Sequence, residues 1–259
     1  MTKTIVLVHG AFVNADSWDG FSARYQAAGY TVVVPGWPGE VDRAADQRAS
    51  PGDPGKLGIT EIVDHYADVI RSLPEPPILI GHSYGGLFVQ LLMQRGLGAA
   101  GVAIHPAPPR GVFPSMRAIG SSLPATFGAG GGKHTTVLSP EAFAKNFANG
   151  APPALARSEW ERTAVPTPTR IFRQTALFSA AGRIDWDDDE RAPLLIVSGS
   201  DDRTVTPHMN FRNYRKYDDA RATTEYLEFE GRSHATCFEP GWERVADEVL
   251  RWAERVTGL

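Results

Sequence analysis

The chain has one cysteine, no basic run and no long apolar stretch, and each shortage removes a class of function. Cys237 stands alone, so no disulfide forms within the chain and no multi-cysteine zinc site can be built. With 26 Lys and Arg against 30 Asp and Glu, the formal net charge is -4. Nothing in this balance offers a surface to nucleic acid or to anionic lipid. The N-terminal MTKTIVLVHG enters an apolar run too short for the core of a secretory signal, and no later run approaches membrane-spanning length. The expectation is a soluble, cytoplasmic protein whose partner is a small molecule, with no nucleic acid, membrane, metal or cofactor.

At 259 residues the chain can bury the core of one large α/β domain and carry an insertion. Short β-branched runs alternate with amphipathic stretches. TIVLV (4–8), TVVV (31–34), PILI (77–80), GVAI (101–104), PLLIVSG (193–199) and TEYLEF (224–229) read as strands. Between them lie helical patterns. ITEIVDHYADVIRSL places its apolar residues on one face, SWDGFSARYQAAG stops at Gly29, YGGLFVQLLMQRG follows PILI, a helix starts near Pro207, and WERVADEVLRWAERV closes the chain. Strands alternating with helices give a mostly parallel sheet covered on both faces.

Residues 106–190 break this rhythm. They are rich in proline and glycine and hold Phe113, Phe127, Phe143, Phe147, Trp160, Phe172, Phe178 and Trp186. A structureless loop of that length is foreign to a compact domain, so the segment reads as an inserted helical cap or lid between core segments 1–105 and 191–259, its aromatics forming mainly its own core. FGAGGGKHT is no phosphate loop, because no strand precedes it and His134 stands where that motif needs Ser or Thr.

The stretch PPILIGHSYGGLFVQ (76–90) is a buried strand turning sharply into a helix, with Ser83 on the corner. A nucleophile elbow needs a strained serine with small residues two before and two after it, where Cβ atoms would collide. Gly81 and Gly85 fill both places, and Gly86 lets the helix approach the sheet. The helix N-terminus then aims backbone N–H groups and its dipole at a developing oxyanion.

A serine hydroxyl needs a base and a group that orients the base. VSGSDDRTVTP supplies adjacent acids, Asp201 and Asp202, after one strand, and EGRSHATCFEP supplies His234 after the next. Both fall on loops at strand ends, in the chain order serine, acid, histidine. His65 lies in a helix pattern, His105 at a strand end, His134 in the glycine loop and His208 at a helix start, all structural or surface positions. His9 and His82 shape their own motifs, which leaves His234 as the base. The DWDDDE run at 185–190 precedes its strand, lacks nearby His or Cys, and reads as a solvated connector.

Together VLVHGAFVNADSW, GHSYGG, VSGSDDRTVTP and GRSHATCFEP resemble the α/β-hydrolase superfamily. The spacing of His9-Gly10-Ala11 to Trp18 is similar to the branch holding small-ester hydrolases, plant methylesterases and hydroxynitrile lyases. The resemblance covers about two-thirds of the chain and specifies the superfamily rather than one activity. It implies that the amides of Ala11, with Phe12 as fallback, and of Tyr84 form the oxyanion hole, and that the pattern G-x-x-D selects Asp202 over Asp201. It also implies that one or both leading strands of the family are missing ahead of TIVLV. In this chain VVVPGWPGE replaces the family's usual glycine-rich turn, and it sets Trp37, with Phe12, in the pocket wall.

The implied chemistry is that of a serine hydrolase. Ser83 attacks a carbonyl while His234, oriented by Asp202, takes its proton. A serine in that place argues against the dehalogenase and epoxide-hydrolase branches. The segment 106–190 carries nine Lys or Arg against eight Asp or Glu, a balance that favours an uncharged, fairly apolar ester or lactone over an anionic substrate. Two other readings use the same residues: a lyase or dehydratase of a biosynthetic pathway, and a ligand-binding receptor with a vestigial triad.

Overall fold

A computed structural model describes residues 3–53, 56–113, 134–177 and 179–259. Phe127, Phe178 and most of the glycine-rich stretch lie outside them. Six parallel strands form the main sheet: β1 (Thr4–Val8), β2 (Thr31–Val33), β3 (Ile78–His82), β4 (Ala100–Ile104), β7 (Leu194–Gly199) and β8 (Thr224–Phe229), in the order β2-β1-β3-β4-β7-β8. β5 (Thr135–Thr136) and β6 (Thr167–Pro168) pair separately as a small antiparallel ribbon. The expected α/β fold with a mostly parallel sheet is therefore what the chain adopts.

The strands alternate between two cores because successive side chains point to opposite faces. Val6, Val8, Leu79, Ala103 and Ile196 pack with helices α3 (Ile59–Arg71) and α4 (Tyr84–Met93) on one face. Ile5, Leu7, Ile80, Val102 and Val197 pack on the other, with α1 (Asp19–Ala27) and the C-terminal helix Trp242–Thr257. Every residue of β3, β4 and β7 is buried, whereas the edge strands β2 and β8 are mostly half-exposed.

The chain runs from β1 outward to β2 and then returns to the other side of β1 to make β3. The order therefore reverses between β1 and β3, and crevices at such switch points open at the carboxyl ends of the strands. The segment after β4 lies over that end of the sheet. It contains helical turns at Pro140–Ala142 and Phe143–Phe147, and the helices Pro153–Thr163 and Thr169–Ala176. Val13 bridges Ala164, the Asn14 amide donates to the Thr163 carbonyl at 3.0 Å, and the Val165 amide donates to the Phe12 carbonyl at 3.0 Å. These bonds fasten the segment to the loop that follows β1. Among the described residues no helix is long and apolar enough to cross a membrane.

Candidate active site

Ser83 leaves β3 with φ 56° and ψ −120°, a conformation that is strained for any residue with a Cβ. The surroundings fix it there. A Cβ on Gly81 would stand 2.2 Å from the Gly85 carbonyl oxygen, and one on Gly85 would stand 2.0 Å from that of Val8. Only glycine fits either position, as the spacing of the motif requires. The Ser83 amide donates to Ile104 at 2.9 Å, and its carbonyl accepts from Gly86, Leu87 and Ala107, so both adjoining strand ends grip the corner. Gly10 lies alongside: a Cβ there would be 3.4 Å from Ser83 Oγ.

The acid and base candidates meet in the loops after β7 and β8. Asp202 and His234 are buried, and His234 Nδ1 donates to Asp202 Oδ2 at 2.7 Å. The other carboxylate oxygen, Oδ1, accepts the amides of Thr204 at 2.7 Å and Val205 at 2.8 Å. Burial works to raise the Asp202 carboxyl, but the imidazoles of His234 and His105 outweigh it and hold the group far below the usual carboxylate range. Because Nδ1 carries the proton, His234 Nε2 is the acceptor face of the ring, and it is buried with no hydrogen-bond partner among the described residues. Asp201 is exposed and accepts the Ser200 hydroxyl at 3.0 Å.

Neighbouring side chains hold the candidate base, His234, in place. His82 Nε2 donates to the His234 carbonyl at 2.8 Å, and burial, followed by the nearby His234 and His105, pushes the His82 imidazole well below its ordinary range. Behind His234, buried Glu239 accepts the Ser233 amide at 2.9 Å and its hydroxyl at 2.5 Å. Phe147, from the segment over the sheet, sets its ring perpendicular to His234 at 4.8 Å.

The loop after β1 forms the opposite wall. Phe12 has φ 70°, stacks on Phe172 at 5.1 Å, and spends its amide on Thr167 Oγ1 at 2.7 Å. That bond leaves Ala11 as the stronger candidate for an oxyanion donor on this loop. Tyr84, whose amide opens α4, packs edge-on against Phe172 at 5.4 Å. Trp37 is buried, stacked on His9 at 5.2 Å and packed on Phe88 at 5.6 Å. A cavity of about 190 Å³ opens beside His9, Trp37, Glu40, Leu57, Val165 and Thr167, adjoining this loop rather than the Ser83 side chain.

Glu40 and His105 are the residues that sequence reasoning missed. Glu40 accepts the Ala15 amide at 3.0 Å and the Trp37 amide at 3.2 Å, and its Oε2 lies 3.0 Å from His9 Nε2 as a charge contact. A Cβ on Gly36 would stand 2.9 Å from the Glu40 side chain, so the glycine of VVVPGWPGE makes the room that the carboxylate fills. His105 Nδ1 lies 2.8 Å from Asp202 Oδ2. Its signal in the sequence is the position it shares with Ser83 and Asp202, directly after a strand on the crevice side of the sheet. His105, Asp202 and His234 are the one trio with metal-ligand proximity among the described residues. Both of its nitrogen–oxygen separations are hydrogen-bond lengths, which accounts for the cluster without an ion.

Residues 5–248 match the profile of the alpha/beta hydrolase family. The chain belongs to this family. A pyrethroid hydrolase of Sphingobium wenxiniae is 33% identical over 99 residues, a match that covers 36% of this chain and 32% of that enzyme. The alpha/beta hydrolase fold recurs in two solved structures. Tomato methylketone synthase I superposes with a TM-score of 0.71 at 17% identity, covering 99% of both chains. Methylesterase MES16 from Arabidopsis superposes with a TM-score of 0.70 at 16% identity, covering 97% of this chain and 98% of that one. In this family member the strand order, the strained elbow and the acid–histidine loops stand at the crevice end of one sheet.

Proposed function

We propose that the chain is a serine hydrolase of an uncharged, fairly apolar small-molecule carboxylic ester or lactone. Ser83 is the nucleophile, His234 the base and Asp202 the orienting acid, and the amides of Ala11 and Tyr84 form the oxyanion hole. The observation that carries this reading is the buried Asp202–His234 pair, which fixes the tautomer whose Nε2 can accept a proton, together with a serine held in a strained elbow. Ser83 Oγ bonds to the substrate carbonyl carbon as its proton passes to His234 Nε2. The carbonyl oxygen takes the negative charge against the two amides, and the alcohol leaves with the proton. Water then attacks the acyl-enzyme by the reverse sequence and releases the acid.

The wall supports the substrate class. Phe12, Phe172 and Tyr84 present stacked aromatic surface beside the elbow, and such surface favours apolar groups over charged ones. The names of a matching sequence and of a similar structure, a pyrethroid hydrolase and a methylesterase, agree with hydrolysis. The test is a panel of p-nitrophenyl esters and lactones run beside fluorophosphonate labelling. Turnover with one adduct on Ser83 is expected. Labelling of Ser83 without turnover of any ester overturns hydrolysis in favour of a lyase or a receptor, and an adduct that persists in Ser83→Ala overturns the nucleophile.

A further inference from the structure

We propose that His105 is a positioning residue of the catalytic carboxylate, holding Asp202 Oδ2 jointly with His234 and dividing its hydrogen-bonding capacity between the two imidazoles. This rests on the serine-hydrolase reading above. Three independent features bring His105 there. Its backbone takes φ 46°, one of three non-glycine positive values among the described residues, and the other two, Phe12 and Ser83, lie in the same site. Its ring fits against Gly199, where a Cβ would stand 2.6 Å from His105 Cε1. Its Nδ1 meets Asp202 Oδ2 at 2.8 Å, beside the 2.7 Å bond from His234. A histidine kept only to fill space needs neither the strained backbone nor an N–H aimed at a buried carboxylate.

The segment around His105 also braces the nucleophile. Ile104 accepts the Ser83 amide, Ala107 donates to the Ser83 carbonyl, and the His105 amide donates to Val197 at 2.8 Å. One short turn therefore contacts both the elbow backbone and the acid. The titratable groups packed on His234 are Asp202 after β7, His82 at the end of β3 and His105 after β4. Phe147 covers a further side. With two N–H donors on one oxygen, Asp202 stabilises the His234 imidazolium less than it would with His234 alone. His105 thereby keeps the base ready to return its proton to the leaving group.

The test compares kcat/KM against pH for wild type, His105→Phe and His105→Asn. Phenylalanine keeps the ring and removes the donor. Asparagine restores an N–H near the position of Nδ1 and tolerates positive φ. The acid limb is expected to move up by about one pH unit in the Phe variant and to return to within about 0.3 unit in the Asn variant, with KM little changed. An unmoved limb in His105→Phe overturns the proposal. If wild type turns over no ester in the panel, the limb is read from the pH dependence of fluorophosphonate labelling. If His105→Phe does not fold, isotope-labelled histidine in wild type gives a second readout: two downfield Nδ1–H signals, one of them lost in His105→Asn. A single such signal, lost only in His234→Ala, overturns the proposal. Failure of the hydrolase reading looks different, because wild type then turns over no ester in the panel, or keeps its turnover in Ser83→Ala, whatever His105 does.

Discussion

Two carboxylates, the buried Asp202 and the partly buried Glu40, flank the elbow, and both take two backbone amides and at least one imidazole. Their histidines differ. His234 spends Nδ1 on Asp202 and leaves Nε2 unpartnered, so it can accept a proton. His9 instead turns Nε2 toward the Glu40 carboxylate at 3.0 Å as a charge contact without a hydrogen bond, and sets Nδ1 3.0 Å from the Gly10 carbonyl. One cluster has the arrangement that the proposed proton transfer requires. The other is a clasp that joins the loop after β1 to the loop after β2 and holds the proposed oxyanion amide of Ala11 in place. A carboxylate–histidine pair therefore has no fixed role, and which ring nitrogen faces the carboxylate separates these two.

If the Asp202 side moves the proton, Ser83→Ala and His234→Ala each lower kcat by about 10⁴ to 10⁶, and the double variant is scarcely worse, because residues acting as one unit are non-additive. Steady-state ester hydrolysis measures this, and retention of a tenth of wild-type activity by either single variant breaks the assignment. Asp202→Asn should cost about 10⁴ in kcat by favouring the wrong tautomer, and its exposed neighbour Asp201→Asn less than about tenfold. The reverse order would transfer the acid's role to Asp201.

On the clasp side, Glu40→Gln keeps the amide contacts in part and removes the charge beside His9. A fall in kcat/KM of about 10- to 100-fold is expected, smaller than for Asp202→Asn because the oxyanion amide is displaced rather than lost. A fall as deep as that of Asp202→Asn would erase the distinction between the two clusters.

Stability gives the comparison a pH axis. Burial tends to raise the Glu40 carboxyl, yet His9 and the amides of Ala15 and Trp37 prevail and hold it below the usual range. The folded protein therefore binds fewer protons at this group than the unfolded chain does. The resulting stability is complete above the unfolded value, about pH 4.3, and is lost as the pH falls through the lowered folded value. Denaturant titration should show Glu40→Gln less stable than wild type by about 1–3 kcal/mol at pH 7, with the gap closing in acid. A gap that ignores pH would locate the loss in packing.

The smallest effect belongs to neither cluster. Arg48 donates to the carbonyls of Trp160, Glu161 and Ala164 and lies over the Trp160 ring at 4.5 Å. It caps the C-terminal end of the helix Pro153–Thr163. Arg48→Ala should lower stability by about 1 kcal/mol in a thermal melt while leaving kcat within about twofold.

The sheet was legible because TIVLV, PILI and PLLIVSG are continuous apolar runs, and fully buried parallel strands require such runs. Its elbow was legible because glycine spacing is a steric requirement that survives in one dimension. Glu40 and His105 were not legible, because their roles depend on partners that the sequence does not place beside them. Glu40 reaches back 25 positions to the Ala15 amide, and His105 reaches 97 positions forward to Asp202. The same holds for the ribbon of Thr135–Thr136 with Thr167–Pro168, and the helix Ala44–Ala49 is too short to show a periodicity.

The positive φ values at Phe12, Ser83 and His105 bear on how this enzyme would respond to selection for heat resistance. Glycine relieves such backbone strain, by about 1 kcal/mol at a compatible site. A library screened on survival at high temperature alone would accumulate glycine at these positions, so each gain in melting temperature there would remove part of the chemistry. Engineering a durable variant therefore means holding residues 12, 83 and 105 fixed and seeking stability elsewhere, for example on the mostly half-exposed edge strand β8.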